Sequence, residues 1–399
     1  MVSLYNDRGD YMTLLEMANL FYAKFGKGGD IRAYFAPGRV NLIGEHIDYN
    51  GGHVFPCALT NGNYAIARKR QDRLLKFYSH NYRKGGVMSS SLDDLVWRKR
   101  DGWINYPKGV IWALKKKGYV LDCGLDVFVW GNIPGSGLSS SAAMEVVIAT
   151  AINDLFGFQI GPIDIALISQ TAESKFNKTN CGIMDQFASA MGKSGNAIFL
   201  DCHTLAYQYI PMRLPNVKII VTNSNKPHSL ASSHYNDRRK ECEKALQDLK
   251  KVVQIDNLCQ LTPEQFETYK SAIQDDVSRM RAKHAVYEEQ RTKDTILALR
   301  KNDIDLFGRL LNESGDSLRY DYDATCPEID ALVDSARRQK GVYGSRETGG
   351  GWGGNTVSIV QDACVKPFIE NVGKEYRRET KLEASFAILE VGDGARRLF

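Results

Sequence analysis

Three short segments carry the side chains best able to do chemistry. The first, Asn132-Ile-Pro-Gly-Ser-Gly-Leu-Ser-Ser-Ser-Ala-Ala-Met144, passes from a strand-like run through a Gly- and Ser-rich loop into an apolar helix. Gly135 and Gly137 let the backbone approach a ligand, and the first-turn N–H groups near Ser139 to Ser141 lack intrahelical partners. With the helix dipole they form an anion site suited to a polyphosphate, and three hydroxyls add donors and a candidate magnesium ligand. The Walker A pattern occurs nowhere, and Ser140 replaces the third glycine of a dinucleotide fingerprint. A serine-capped helix after an ordinary turn is the plain alternative.

The second segment, Gly38 to Gly52, gathers Arg39, Glu45, His46 and Asp48 among glycines that permit tight turns. Carboxylates and an imidazole on one loop can hold several hydroxyls, as a sugar site does; a decorated surface turn would look the same. Glu45-His46 lacks the second histidine of a His-Glu-x-x-His metal motif. The third segment, Thr348-Gly-Gly-Gly-Trp-Gly-Gly-Asn355, matches Gly-x-Gly-x-x-Gly formally, but a strand-like TVSIV follows where that fingerprint needs a helix. So many glycines suit close approach to a ligand or to an opposing domain. Taken singly, Asp185 in a helix first turn, Glu173 on a helix face, and Tyr235 and His228 near a charged helix are equally at home in bland roles.

The elements that must hold these groups are legible in outline. Apolar spacing predicts helices over 11–26, 103–117, 140–156 and 162–176, with Gly157 as the C-terminal cap of the third. Further helical stretches are expected from Tyr235 to about 253, over 263–300 and over 303–313. Short strands are expected between 31 and 77 and at 125–130, 196–201, 217–223, 341–345, 356–360 and 387–391. At 399 residues one core is too few, and the shift in composition at 211–216 divides the chain into 1–213 and 214–399. Strands and helices mix in both halves, which predicts α+β (mixed α/β) domains with a cleft between them.

Composition narrows the classes. Hydrophobic residues make up 43% and charged residues 25%, with a mild net charge of +5. The basic clusters are short and scattered, without interleaved aromatics, which argues against nucleic acid as a partner. No apolar run approaches a membrane span, and MVSLYNDRGDYM puts charges where a secretory leader needs apolar residues. The eight widely spaced cysteines form no Cys-x-x-Cys pair and suit free thiols in a reducing, cytoplasmic compartment.

Together the segments resemble those of galactokinases, within the GHMP small-molecule kinase superfamily. GRVNLIGEHIDYNGG is similar to the galactokinase signature almost position for position, PGSGLSSSAA to the superfamily phosphate loop, and TGGGWGG to its third motif. CGIMDQFAS, HSLASSHYNDRR and NESGDSLRYDYDATCPEID resemble further galactokinase segments, in family order from about residue 36 to 360. The resemblance implies an N-terminal α/β and a C-terminal α+β domain with the active site in the inter-domain cleft. The activity it implies is ATP-dependent phosphorylation of the galactose C1 hydroxyl, the first committed step of galactose use by the Leloir pathway. It implies that Glu45, His46, Asp48, Gly182, Asp185 and Tyr235 contact the sugar, and that Gly135, Ser136, Gly137, Leu138, Ser139, Ser140 and Ser141 wrap the ATP phosphates. Ser141 and Glu173 would hold Mg2+, Trp103 would lie near the nucleotide base, Asp185 would take the C1 proton and Arg39 would stand beside it. It further implies small-molecule partners only, with neither nucleic acid nor membrane, in a monomer or weak homo-oligomer.

The sequence departs from the family at Glu347, Trp352 and Asn355, where methionine, phenylalanine and cysteine are common. Because the glycines around them are retained, altered packing is expected rather than lost catalysis. Two rival readings are a kinase for another sugar, such as N-acetylgalactosamine, and a silent galactose sensor. A fungal regulator of the second kind lacks residues just after the three serines; here Ala142 and Ala143 follow without a gap.

Overall fold

The computed structural model of the chain describes residues 12–133, 137–226 and 231–399, leaving out the side chains of 231–233. Its first half is built on a mixed six-stranded sheet, in the order Arg396–Arg397, Arg32–Asn41, Pro56–Lys69, Leu125–Gly131, Leu74–Ser79, Met88–Ser91. Only the pairing of Leu74–Ser79 with Leu125–Gly131 is parallel. A smaller sheet joins His53–Val54, Asn196–Asp201 and Tyr207–Pro211. The second half carries an antiparallel sheet ordered Val342–Thr348, Asn355–Gln361, Val217–Asn223, Ser385–Ile388.

Two local irregularities aim the functional side chains. Strand Arg32–Asn41 shifts register against its neighbour between Pro37 and Arg39. Such a bulge bends the strand and re-aims the next side chain, here Arg39. Gly38 sits in the bend because a Cβ there would lie 2.5 Å from the Leu138 carbonyl oxygen. The second irregularity interrupts the helix expected over 162–176. It is α-helical over Pro162–Thr171 and continues as a π-turn, Ala172–Phe176, which carries Glu173. A π-turn adds a residue to the helical repeat and rotates the side chains beyond it, a change that apolar periodicity does not register.

The helix Ser140–Phe156 has its expected bounds, and Gly157 caps it in the left-handed region (φ 66°). Elsewhere the expected outline needs correction. The stretch 263–300 is two helices, Pro263–Tyr269 and Asp276–Arg300, the second capped by the Asp275 side chain accepting from the Ser278 N–H. Helix Ile304–Tyr320 outruns its expected end at 313, and helices Pro327–Arg338 and Val365–Thr380 occupy segments to which the sequence reading assigns nothing.

Packing and pairing cross the division at 213/214. Arg396–Arg397 pairs with the first-half strand Arg32–Asn41, so the C-terminal segment belongs to the first sheet. The largest apolar cluster is also shared, placing Ile47 and Val54 with Cys242, Leu258, Ala285 and Tyr322. Composition marks the connection at 211–216, but burial of apolar surface is indifferent to chain order.

Candidate active site

A cleft open to solvent, with about 600 Å³ of empty space including its mouth, is lined by Arg39, Asp185, Ser141 and Glu173, and by Glu45, His46, Asp48, Gly182 and Tyr235. Gly349 and Gly350 close another wall. At its centre the Arg39 guanidinium makes a forked pair with Asp185, Nε to Oδ1 at 2.6 Å and Nη2 to Oδ2 at 2.7 Å. Nη1 donates to the Gly137 carbonyl at 3.0 Å, tying the phosphate loop to the same cation. Burial opposes the charge of Arg39, but Asp185, Glu45 and Asp48 more than offset it and its pKa is raised. Asp185 sits in the first turn of Met184–Met191, and its carboxylate also accepts from the Ser139 hydroxyl. Ser139, in the left-handed region (φ 62°), therefore serves Asp185 rather than capping its own helix.

The end of the cleft beside helix Ser140–Phe156 is crowded with carboxyl groups. Glu173, turned inward by the π-turn, faces Glu145, which is fully buried on Ser140–Phe156. Gln186 Nε2 reaches both, at 3.2 Å from Glu145 and 3.5 Å from Glu173. Burial pushes both carboxyl pKa values up, and in Glu145 the neighbouring Glu173 charge adds to it. Ser141 lies beside Glu173. Among the described residues no group of three or more His, Cys, Asp or Glu is disposed to hold a metal. A cation here would complete its shell with phosphate oxygens and water, as hard divalent ions do.

The opposite end, around Glu45, His46 and Asp48, is fastened instead. Four protein donors surround the buried Glu45 carboxylate: Asn41 Nδ2 at 2.7 Å, Gly349 N at 2.8 Å, Thr348 Oγ1 at 3.0 Å and Arg346 Nη2 at 3.3 Å. Arg346 is itself fully buried, and donates to the Leu42 and Asn41 carbonyls as well. Asp48 is held against Gly182, where a Cβ would come within 2.1 Å of its Oδ2. Burial, followed by the Asp185 charge, raises the Asp48 pKa to about 7, against the pull of the Tyr49 N–H. His46 also adopts a left-handed backbone (φ 61°), with rings of Tyr235, Tyr322 and Trp352 within 6 Å of its own.

The cleft thus gathers most of the expected site residues, with exceptions. Gly135 and Ser136 lie outside the described residues, as does His228. Leu138 buries its side chain in an apolar cluster, so only its backbone can meet a ligand. Ser140 is exposed and gives its carbonyl to Asn63 Nδ2 at 2.8 Å. Trp103 does not line the cleft and packs edge-on to Phe77. Glu347 is buried, and its carboxyl pKa is driven well above the ordinary range by burial and by Glu45. Sequence reasoning missed Glu145, yet a signal existed: it stands four residues after Ser141, on the same helical face. It also missed Arg346, which a strand sequence alone does not distinguish from a surface arginine.

A glycine-rich approach to a helix N-terminus, a forked Arg–Asp pair and a wall of polar side chains meet in one cleft, an arrangement that suits a small-molecule kinase of the GHMP class. The family profiles agree: the GHMP kinases N-terminal domain matches residues 105–193, and the GHMP kinases C-terminal domain matches 295–377. The Methanococcus jannaschii mevalonate kinase shares the fold, with a TM-score of 0.63 at 16% identity, covering 92% of this chain and 99% of that one. More specifically, the galactokinase galactose-binding signature matches residues 19–69. The galactokinase of Fusobacterium nucleatum is 50% identical over 93% of this chain and 96% of its own, and that of Bacillus subtilis 47% over 96% and 98%. The crystal structure of Lactococcus lactis galactokinase complexed with galactose superposes with a TM-score of 0.94 at 39% identity, over 97% of this chain and all of that one. The chain belongs to the galactokinase family.

Proposed function

We propose that this protein transfers the γ-phosphoryl group of ATP to the C1 hydroxyl of α-D-galactose, giving galactose 1-phosphate and ADP. The observation that carries the reading is the Arg39–Asp185 fork, which stands where the hydroxyl-binding end meets the helix N-terminus. Asp185 accepts the O1 proton as the O1–phosphorus bond forms and the bond to the ADP oxygen breaks. Phosphoryl transfer needs alignment and charge neutralisation more than covalent chemistry. Arg39 supplies both, since it holds Asp185 by two hydrogen bonds and offsets charge spreading over the transferring oxygens.

Gly137 to Ser141 offer backbone N–H groups to the ATP phosphates, and Gly135 and Ser136 belong to the same loop. Gly349 (φ 103°) presses on that loop, since a Cβ there would lie 2.7 Å from the Gly137 oxygen. Asp48 and His46 present polar atoms to the sugar beside Tyr235, while Glu45 holds their loop. Ser141 and Glu173, backed by Glu145, fit a magnesium ion shared with the phosphates; when bound, it neutralises charge on the transferring group. Trp103 borders the nucleotide side by family resemblance alone. A cytoplasmic location suits eight free thiols and the absence, among the described residues, of any helix long and apolar enough to cross a membrane.

The test is ATP turnover by the purified protein with Mg2+ and galactose, N-acetylgalactosamine, glucose or no sugar, with the product's phosphate located by NMR. Galactose-dependent formation of a C1 phosphate is expected. Turnover with another sugar alone would overturn the substrate, and binding without turnover would overturn the reaction.

A further inference from the structure

A chain of polar side chains runs from the second half of the molecule to His46. Cys242 Sγ lies 3.2 Å from Tyr322 Oη, which lies 2.7 Å from Tyr49 Oη, which lies 2.9 Å from His46 Nδ1. Cys242 and Tyr322 are buried. At the other end His46 is 3% exposed and lines the cleft, and its Nε2 has no hydrogen-bond partner among the described residues.

The direction of the chain is set at its root. The Asn50 amide can only donate from Nδ2, and it does so to the His46 carbonyl at 2.9 Å and to Cys242 Sγ at 3.6 Å. The sulfur is thus an acceptor towards Asn50. Its other side-chain partner is Tyr322 Oη, which can take the thiol hydrogen. Tyr322 then donates to Tyr49, and Tyr49 donates to Nδ1, so the ring hydrogen sits on Nε2. The reverse direction would bury a thiol hydrogen with no acceptor and ask the sulfur to accept twice. Burial, reinforced by His284, Arg238 and Arg346, pushes the His46 pKa down to about 3, so the ring is neutral and its tautomer matters.

We propose that Cys242, Tyr322 and Tyr49 are positioning residues that fix His46 as the Nε2–H tautomer, so that this wall of the sugar site offers a hydrogen-bond donor. The Asp185 carboxylate accepts from hydroxyls; Nε2–H instead seeks a hydroxyl oxygen, and so dictates which way that hydroxyl turns. The consequence for sugar binding rests on the proposed galactose activity, whereas the tautomer itself does not.

The test uses the full chain labelled with 15N-histidine, with His46 assigned from the spectrum of H46Q. In the ligand-free protein a pyrrole-type Nε2 and a pyridine-type Nδ1 are expected. Tyr322→Phe keeps the ring against His46 but cuts the relay, and is expected to mix the tautomers; Cys242→Ala should do the same and stands in if Tyr322→Phe fails to fold. Tyr322→Phe is also expected to raise the galactose KM by roughly three- to tenfold, a larger change than in kcat or in the ATP KM. Among galactose analogues, fluorine for the hydroxyl facing His46 should cost the wild type less than hydrogen does, because fluorine still accepts. Hydrogen on Nδ1 in the wild type, or an unchanged tautomer in both variants, would overturn the proposal. A wild type that does not phosphorylate galactose would overturn the substrate reading and leave the spectra to decide the relay.

Discussion

At one end of the cleft Glu45 is buried within reach of four protein donors, while at the other Glu145 and Glu173 share the Gln186 amide and burial resists the ionisation of both. The first arrangement is complete within the protein and gives the sugar end a fixed shape before any ligand arrives. The second is two carboxyls that would ionise fully only beside a bound cation, which suits the proposed magnesium site. One end recognises by shape and direction, the other by charge, and the Arg39–Asp185 fork joins them.

The sharpest way to break this picture is at the junction. Asp185→Asn should lower turnover by roughly 10²–10⁴-fold while calorimetry still detects both substrates. Wild-type-like rates would remove Asp185 from the chemistry. Next in size, Arg346→Met leaves the Glu45 carboxylate buried without its cation, and denaturant unfolding should show a loss of about 3–5 kcal/mol. Adding Glu45→Gln to that variant should recover part of the loss.

Two alanine variants then separate the ends. Gly182→Ala drives a methyl into Asp48 and should weaken galactose binding by roughly 1–3 kcal/mol with little effect on ATP. Gly349→Ala pushes on the Gly137 carbonyl from a strained backbone and should weaken ATP binding by a similar amount, with a smaller loss of galactose binding because the Gly349 N–H also holds Glu45. Equal effects on both ligands would mean that the ends are not independent. A further test concerns pH. The folded protein holds the Asp48 proton up to about pH 7, well above an ordinary aspartate, so the wild type loses stability as pH rises between those values. Asp48→Asn removes that loss, and its melting temperature should exceed the wild type's at about pH 8 while nearly matching it at about pH 4.

Much of the frame was legible because it obeys local rules. The helix Ser140–Phe156 declared itself by apolar spacing and a C-terminal glycine, and strands Asn196–Asp201 and Val217–Asn223 by short β-rich runs. The cleft and its main residues came from motif resemblance, since taken singly Asp185 or Glu173 carried no decisive signal. The π-turn under Glu173 stayed hidden because one extra residue does not disturb a periodicity read over several turns. The buried role of Arg346 depends on a partner 301 positions away, which no local pattern encodes. The helix Val365–Thr380 is different: Phe368, Val372 and Tyr376 repeat every four residues, so its signal was present and simply outweighed by its charged neighbours.

The long reach of the Glu45 clamp also sets a timetable for biosynthesis. Glu45 leaves the ribosome some three hundred residues before Arg346, Thr348 and Gly349, a wait of roughly 15–60 s at ordinary rates of translation. Throughout that interval its carboxylate stays hydrated and the signature loop lacks its far wall. A nascent chain therefore presents no finished sugar site, and galactose cannot serve as a template for the half of the protein that carries its own recognition signature.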